Sequence, residues 1–157
     1  MTTICSDGIT IAGDGLACWG DEPVSRADLK IEQRGNRIFA LSGASAMLPA
    51  LIKWVDEGAD VARVPAGIGP EVMWSLLVIE KTGVCAYVSK CPYASPMSYP
   101  ISIGSGADYA MGAMHAGKTP REAVEIASKL DVWTGGDIQV IDIAEALGLA
   151  PHLQAAE

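Results

Sequence analysis

Thr2-Thr3-Ile4-Cys5-Ser6-Asp7-Gly8-Ile9-Thr10-Ile11-Ala12-Gly13-Asp14-Gly15 follows Met1, and its reading decides the fold. Ile4 and Cys5, then Ile9, Ile11 and Ala12, are two short apolar runs on either side of Ser6-Asp7-Gly8. Apolar runs of this length about a Gly-containing turn read as a β-hairpin. Such a hairpin holds the chain end in a sheet, where termini ordinarily fray. It also sets a hydroxyl amino acid directly behind the initiator and an aspartate at the end of the second strand. Once Met1 is removed, Thr2 becomes the first residue and carries its own base. Its α-amino group, with an ordinary pKa of about 8, can take the hydroxyl proton as the oxygen attacks a carbonyl. Taken alone, a small second residue is commonplace, because the initiator is readily trimmed before it; the context supplies the specificity.

Composition sets the outer bounds. The 157 residues, half of them hydrophobic and only 19% charged, suit one folded domain over 1–157 and exclude a disordered chain. A net charge of −8 offers neither phosphate neutralisation nor a polybasic patch, so nucleic acid and anionic membrane are not expected partners. Few aromatics among many small apolar residues suit a subunit that buries surface against copies of itself. Cys5, Cys18, Cys85 and Cys91 form no C-x-x-C pair, so neither a metal site nor a disulfide framework is expected, and no cofactor is called for. No basic stretch followed by an apolar run opens the sequence, and no apolar run reaches transmembrane length. The expectation is a cytoplasmic protein with reduced thiols.

Outward from the first hairpin, residues 16–26 read as a loop or an irregular strand. Lys30 to Gln33 and Arg37 to Leu41 form a second hairpin about Arg34-Gly35-Asn36. Helical spacing of Met47, Leu48, Leu51, Trp54 and Val55 predicts a helix over 46–56, with Gly58 as its stop. Pro65, Gly67, Gly69 and Pro70 leave no room for a long second helix before the apolar strands at 72–79 and 84–88. Residues 91–100 are turn-rich, 101–103 form a strand running into Gly104-Ser105-Gly106, and 107–115 a helix. Thr119-Pro120-Arg121-Glu122 is a capping box opening a helix to about Lys129. A strand at 138–143 and a short helix at 144–149 follow. Periodicity alone shows only mixed α and β.

Several motifs in order carry a resemblance. Thr2-Thr3-Ile4, then Ile11-Ala12-Gly13-Asp14-Gly15, then Lys30 sixteen residues after Asp14, resemble the amino-terminal half of bacterial HslV and, more distantly, of proteasome β subunits. Ile103-Gly104-Ser105-Gly106 and Asp131-Val132-Trp133-Thr134-Gly135-Gly136 resemble that family's serine loop and its Asp-x-x-Ser-Gly-Gly element, with Thr134 in place of the serine. The likeness covers residues 2 to about 45 and 72 to about 143. It implies the α+β, four-layer αββα sandwich of N-terminal nucleophile hydrolases, with the second central helix shortened or absent. It implies Thr2 as nucleophile, Lys30 and Asp14 as its electrostatic companions, and Gly43 as oxyanion donor. Ser105, Asp131 and Thr134 would orient the terminal amine. Ala17, Leu41 and Ser45 match positions lining the first specificity pocket, and Cys18 one whose backbone pairs with an extended substrate; such small, apolar residues favour an apolar residue before the scissile bond. The implied activity is that of a threonine-type peptidase subunit of a self-compartmentalising protease. Its implied partners are peptides or unfolded proteins, further copies of the chain, and an AAA+ ATPase unfoldase.

Other readings of the same residues differ in kind. Asp14-Gly15 is also an ordinary turn, and Lys30 an ordinary surface lysine. Gly104-Ser105-Gly106 lacks the third glycine and the lysine that phosphate loops use. His115 and His152 lie far apart in sequence, and a Ser-His-Asp arrangement, which would need one of them in the core, is not expected. Of the four tryptophans, only Trp19, near the expected groove, reads as more than packing. A non-catalytic assembly protein that retains Met1, and an amidohydrolase acting on a small amide, are the alternatives in function.

Overall fold

The computed structural model describes residues 2–65 and 71–150. The first hairpin forms as β1 (Thr3–Ser6) and β2 (Thr10–Gly13), turning at Asp7-Gly8, where Asp7 Oδ1 accepts from the N–H groups of Ile9 and Thr10 at 2.8 Å each. β10 (Ile101–Gly104) pairs with the outer side of β1, and β11 (Gln139–Asp142) with β2, giving an antiparallel sheet in the order β10-β1-β2-β11. The chain start is therefore paired on both sides. The second hairpin, β5 (Ile31–Arg34) and β6 (Arg37–Ser42), leads into β7 (Ser75–Glu80), β8 (Gly83–Val88) and β9 (Cys91–Met97) in a five-stranded antiparallel sheet of that order.

The period-two alternation of side chains explains why two sheets stack and helices cover both outsides. Along β6, Ile38 and Ala40 face the other sheet, while Phe39 and Leu41 face outward; along β7, Leu77 and Ile79 face in and Leu76 and Val78 out. Ile4 and Ile11 of the first hairpin complete the inter-sheet core, closed at one edge by Ile143 and Leu147. Each fully buried Ile or Leu there contributes on the order of 1.5–3 kcal/mol. The outward face of the five-stranded sheet is covered by α1 (Leu48–Asp56) through Leu51, Ile52, Trp54 and Val55. The outward face of the other sheet, Cys5 and Ala12, packs on α2 (Ala107–His115) and α3 (Pro120–Leu130) through Ala110, Ala113, Ala123, Val124 and Ala127. The result is the expected αββα sandwich. Thr119 caps α3 as predicted: its side chain accepts from the Glu122 N–H, and Glu122 Oε2 accepts from the Thr119 N–H at 2.9 Å.

Four expectations are changed or sharpened. Residues 16–26, read as a loop or an irregular strand, hold a ribbon of two strands, β3 (Ala17–Trp19) and β4 (Glu22–Ser25), with a register shift between Ala17 and Cys18 and a turn at Gly20, whose φ of +60° suits a residue without a Cβ. Residues 91–97, read as turns because of Pro92 and Pro96, form β9; it lies at a sheet edge, where proline is tolerated. The strand predicted from Val72 begins only at Ser75, and the terminal helix, α4, is Ile143–Ala146. Between β6 and β7 the described residues contain a 3-10 turn at Ser45–Met47, α1, and a second 3-10 turn at Val61–Arg63. A second long helix is thus missing among them, although Gly67, Gly69 and Pro70, which argued for its absence, lie outside the described residues, as do Met1 and His152. Among the described residues no helix is long and apolar enough to cross a membrane.

Candidate active site at one end of the sandwich

Thr2 precedes β1, Asp14 follows β2, Lys30 precedes β5, Gly43 follows β6 and Ser105 follows β10. Strand register brings these ends together, with Thr3 opposite Gly104 and Ile4 opposite Gly13. Asp14 and Lys30 do not sit on neighbouring strands of one sheet. They meet across the sandwich, one from each sheet, with Nζ 3.0 Å from Asp14 Oδ1.

This ion pair is buried: Asp14 is 1% and Lys30 3% exposed. Burying charge is costly unless every lone pair and proton finds a partner, and here they are well supplied. Asp14 Oδ1 also accepts from the Thr3 N–H at 2.8 Å, and Oδ2 from the N–H groups of Leu16 at 3.2 Å and Gly135 at 3.1 Å. Lys30 Nζ donates in addition to the Leu16 carbonyl at 2.7 Å. One carboxylate oxygen thus joins the ammonium to the backbone N–H adjoining Thr2.

On the other side of Thr2 lies a chain of hydroxyls. The Thr2 N–H donates to Ser105 Oγ at 3.4 Å, and Ser105 Oγ donates to Asp131 Oδ2 at 2.6 Å. Thr134 Oγ1 donates to the same Oδ2 at 2.6 Å, which leaves Thr3 Oγ1 as the donor in its 2.6 Å bond to Thr134. Burial pushes the Asp131 carboxyl up, but hydrogen bonds from Ser105, Thr134 and the Trp133 N–H outweigh it and hold the group below its ordinary value. Two glycines make this closeness feasible. A Cβ on Gly104, at φ +101°, would come 1.8 Å from the Thr2 carbonyl oxygen, and one on Gly106 would come 2.0 Å from Thr3 Oγ1.

Two cavities open beside this cluster, and Gly43 borders both. The larger, about 440 Å³, is lined by Ala17, Cys18 and Ser45 among others; the second, about 320 Å³, by Ser42, Trp74, Gly104 and Ser105. Leu41 takes no part in either lining. Its parity on β6 turns it outward to the core under α1, with Leu48 and Trp74 around it. Trp19, 84% exposed, stands at the rim of the larger cavity. The structure thus brings together Thr2, Asp14, Lys30, Gly43, Ser105, Asp131 and Thr134. The sequence reading missed Thr3, although alternation along β1 signals that it turns to the Cys5 side, toward the helices that carry Asp131. It also missed the Leu16 carbonyl, which no side chain marks. Among the described residues no cluster of His, Cys, Asp and Glu could hold a metal ion.

No protein-family model matches the chain. Among solved structures, eukaryotic HslV from Trypanosoma brucei superposes with a TM-score of 0.70 at 17% identity, covering 90% of this chain and 98% of that one. Thiobacillus denitrificans BPH superposes with 0.64 at 21% identity, covering 90% and 97%, and its complex with epoxomicin with 0.65. The fold is therefore that of the N-terminal nucleophile hydrolases. In sequence, an ATP-dependent protease subunit HslV from Caldanaerobacter subterraneus subsp. tengcongensis is 26% identical over 162 residues, covering 85% of this chain and 91% of that protein. In both sequence and fold the chain is thus similar to HslV and proteasome-like subunits.

Proposed function

We propose that this chain is the peptidase subunit of a cytoplasmic, self-compartmentalising protease, with Thr2 as its nucleophile once Met1 is removed. The observation that carries this reading is the buried Lys30–Asp14 pair, which stands one hydrogen bond from the backbone beside Thr2. A cation held there without solvent favours the neutral form of a neighbouring amine and stabilises a developing alkoxide. In the proposed reaction Thr2 Oγ1 attacks the peptide carbonyl and its proton passes to the terminal amine, which the Ser105–Asp131–Thr134 hydroxyl chain orients. The oxyanion is met by the Gly43 N–H, at the junction of the two cavities. Collapse sends the proton to the leaving amine and leaves an ester on Thr2, which a water molecule, deprotonated by the same amine, hydrolyses.

The similarity to a subunit of an ATP-dependent protease supports further copies of this chain and an AAA+ ATPase unfoldase as partners, with unfolded polypeptide as substrate. The test is the intact mass of the purified protein before and after exposure to an epoxyketone or β-lactone. Loss of one methionine, and one adduct that vanishes in Thr2→Ala, is the expected result. Retained methionine with no adduct would refute the reading and leave a non-catalytic assembly subunit.

A further inference from the structure

The larger cavity holds a charge that neither the motifs nor the proposed mechanism uses. Asp28 borders it together with Lys30, while Ala27 and Leu29 border only a smaller cavity of about 210 Å³, to which Asp28 also contributes. Asp28 thus shares the larger cavity with Lys30, while Leu29, 67% exposed, does not border it. The Asp28 backbone N–H is taken by the Gly15 carbonyl at 2.9 Å, which fixes the residue against the segment leading into β3. Its half-buried carboxylate has no hydrogen bond or ion pair among the described residues.

The rest of the lining offers that carboxylate little. Leu16, Ala17, Val24, Ala44 and Ala46 are apolar. The cation at the cavity's inner end, Lys30, is committed to Asp14 and to the Leu16 carbonyl. A mainly apolar cavity with one unpaired anion at its wall, and its one cation committed elsewhere, fits a long side chain with an apolar stem and a cationic head, as in arginine or lysine. A neutral apolar side chain there would desolvate the carboxylate without a partner, and an acidic one would meet like charge.

We infer that the cavity beside Gly43 is a cation-selective specificity pocket, with Asp28 recognising an arginine or lysine immediately before the scissile bond. This rests on the peptidase reading for its place in the reaction and replaces the apolar preference expected from Ala17, Leu41 and Ser45.

Two measurements on the full chain, as it assembles, separate the inference from that reading. Fluorogenic peptides differing only in the residue before the reporter, Arg, Lys, Leu or Glu, are expected to give kcat/KM at least about tenfold higher for Arg than for Leu. The Arg-to-Leu ratio should fall about tenfold in Asp28→Asn and be retained in Asp28→Glu; a tenfold ratio corresponds to about 1.4 kcal/mol of discrimination. Titration calorimetry with acetylated tripeptides ending in Arg or Leu amide reads the pocket without turnover, and should show tighter Arg binding that Asp28→Asn removes. Equal or tighter Leu binding, or an Arg preference indifferent to Asp28→Asn, overturns the assignment even in an active peptidase. Arg binding through Asp28 in a protein that forms no Thr2 adduct would refute the peptidase reading and leave the pocket standing.

Discussion

Replacing Lys30 by methionine keeps a long apolar stem and deletes the charge, and its consequence can be worked from the bonds around it. Asp14, with no exposed side-chain surface, would retain three backbone donors, from Thr3, Leu16 and Gly135, but lose its cation. Breaking a buried pair by removing one partner costs about 3–5 kcal/mol, because a lone charge remains in the interior. The three donors place Asp14 toward the lower end. The Leu16 carbonyl, however, loses the donor at 2.7 Å, which adds roughly 1 kcal/mol or more. The expected loss is about 4 kcal/mol, a large share of the 5–15 kcal/mol that ordinarily holds a domain together.

The assay is urea unfolding at neutral pH and fixed protomer concentration, since dissociation of copies would move the midpoint by itself. The double variant Asp14→Leu/Lys30→Met sharpens the argument. Buried pairs can often be exchanged for apolar residues at no loss, but here the exchange would orphan three backbone N–H groups, so the double variant should be less stable than Lys30→Met. A loss below about 1 kcal/mol for Lys30→Met, or recovery in the double variant, would refute the view that Asp14 is held in place as an acceptor for the backbone.

Four further outcomes follow from the same structure. Gly106→Ala should destabilise the protein and abolish adduct formation at Thr2, since its Cβ would come 2.0 Å from Thr3 Oγ1; Gly112→Ala on α2, with open space around it, should stabilise by about 0.5–1 kcal/mol, both read by thermal unfolding. Asp131→Asn should cost about 1–3 kcal/mol at neutral pH. Because the folded pKa of Asp131 lies below its ordinary value of 3.8, that contribution is complete above about pH 4 and is lost as pH falls through the folded value, so unfolding curves of the two proteins should converge in acid. Burial, with a smaller effect from the Asp7 charge, pushes the Cys5 thiol up to about 12, so a thiol reagent followed by mass spectrometry should label exposed Cys91 first and Cys5 only after unfolding.

What was legible in the sequence was largely local. The hairpin before Asp14, the second hairpin at Gly35 and the capping box at Thr119 each declare themselves within a few residues, because turn chemistry and side-chain parity act over that range. The site's partners from 105 and from 131–134 came from motif resemblance, since nothing nearby in sequence says that Asp131 will meet Ser105 over the start of β1. Residues 16–26 were legible only as a loop or an irregular strand because Gly20 and Pro23 read as interruptions, whereas one is the turn of a ribbon and the other an edge position. Leu41 failed for a plainer reason: one step of parity along β6 moves a side chain from one side of the sheet to the other. Asp28 was invisible because Ala-Asp-Leu carries no pattern, and only the stacking of two sheets gives the carboxylate a cavity to border.

β9 closes one edge of the five-stranded sheet with Pro92 and Pro96 among its seven residues. Every proline there is a missing donor on a margin that would otherwise template another strand. Copies of this chain are thus discouraged from fusing their sheets into one continuous ribbon through that margin, and any association there must rely on side-chain complementarity. Such contacts can be released and remade, whereas a shared hydrogen-bond ladder propagates without limit.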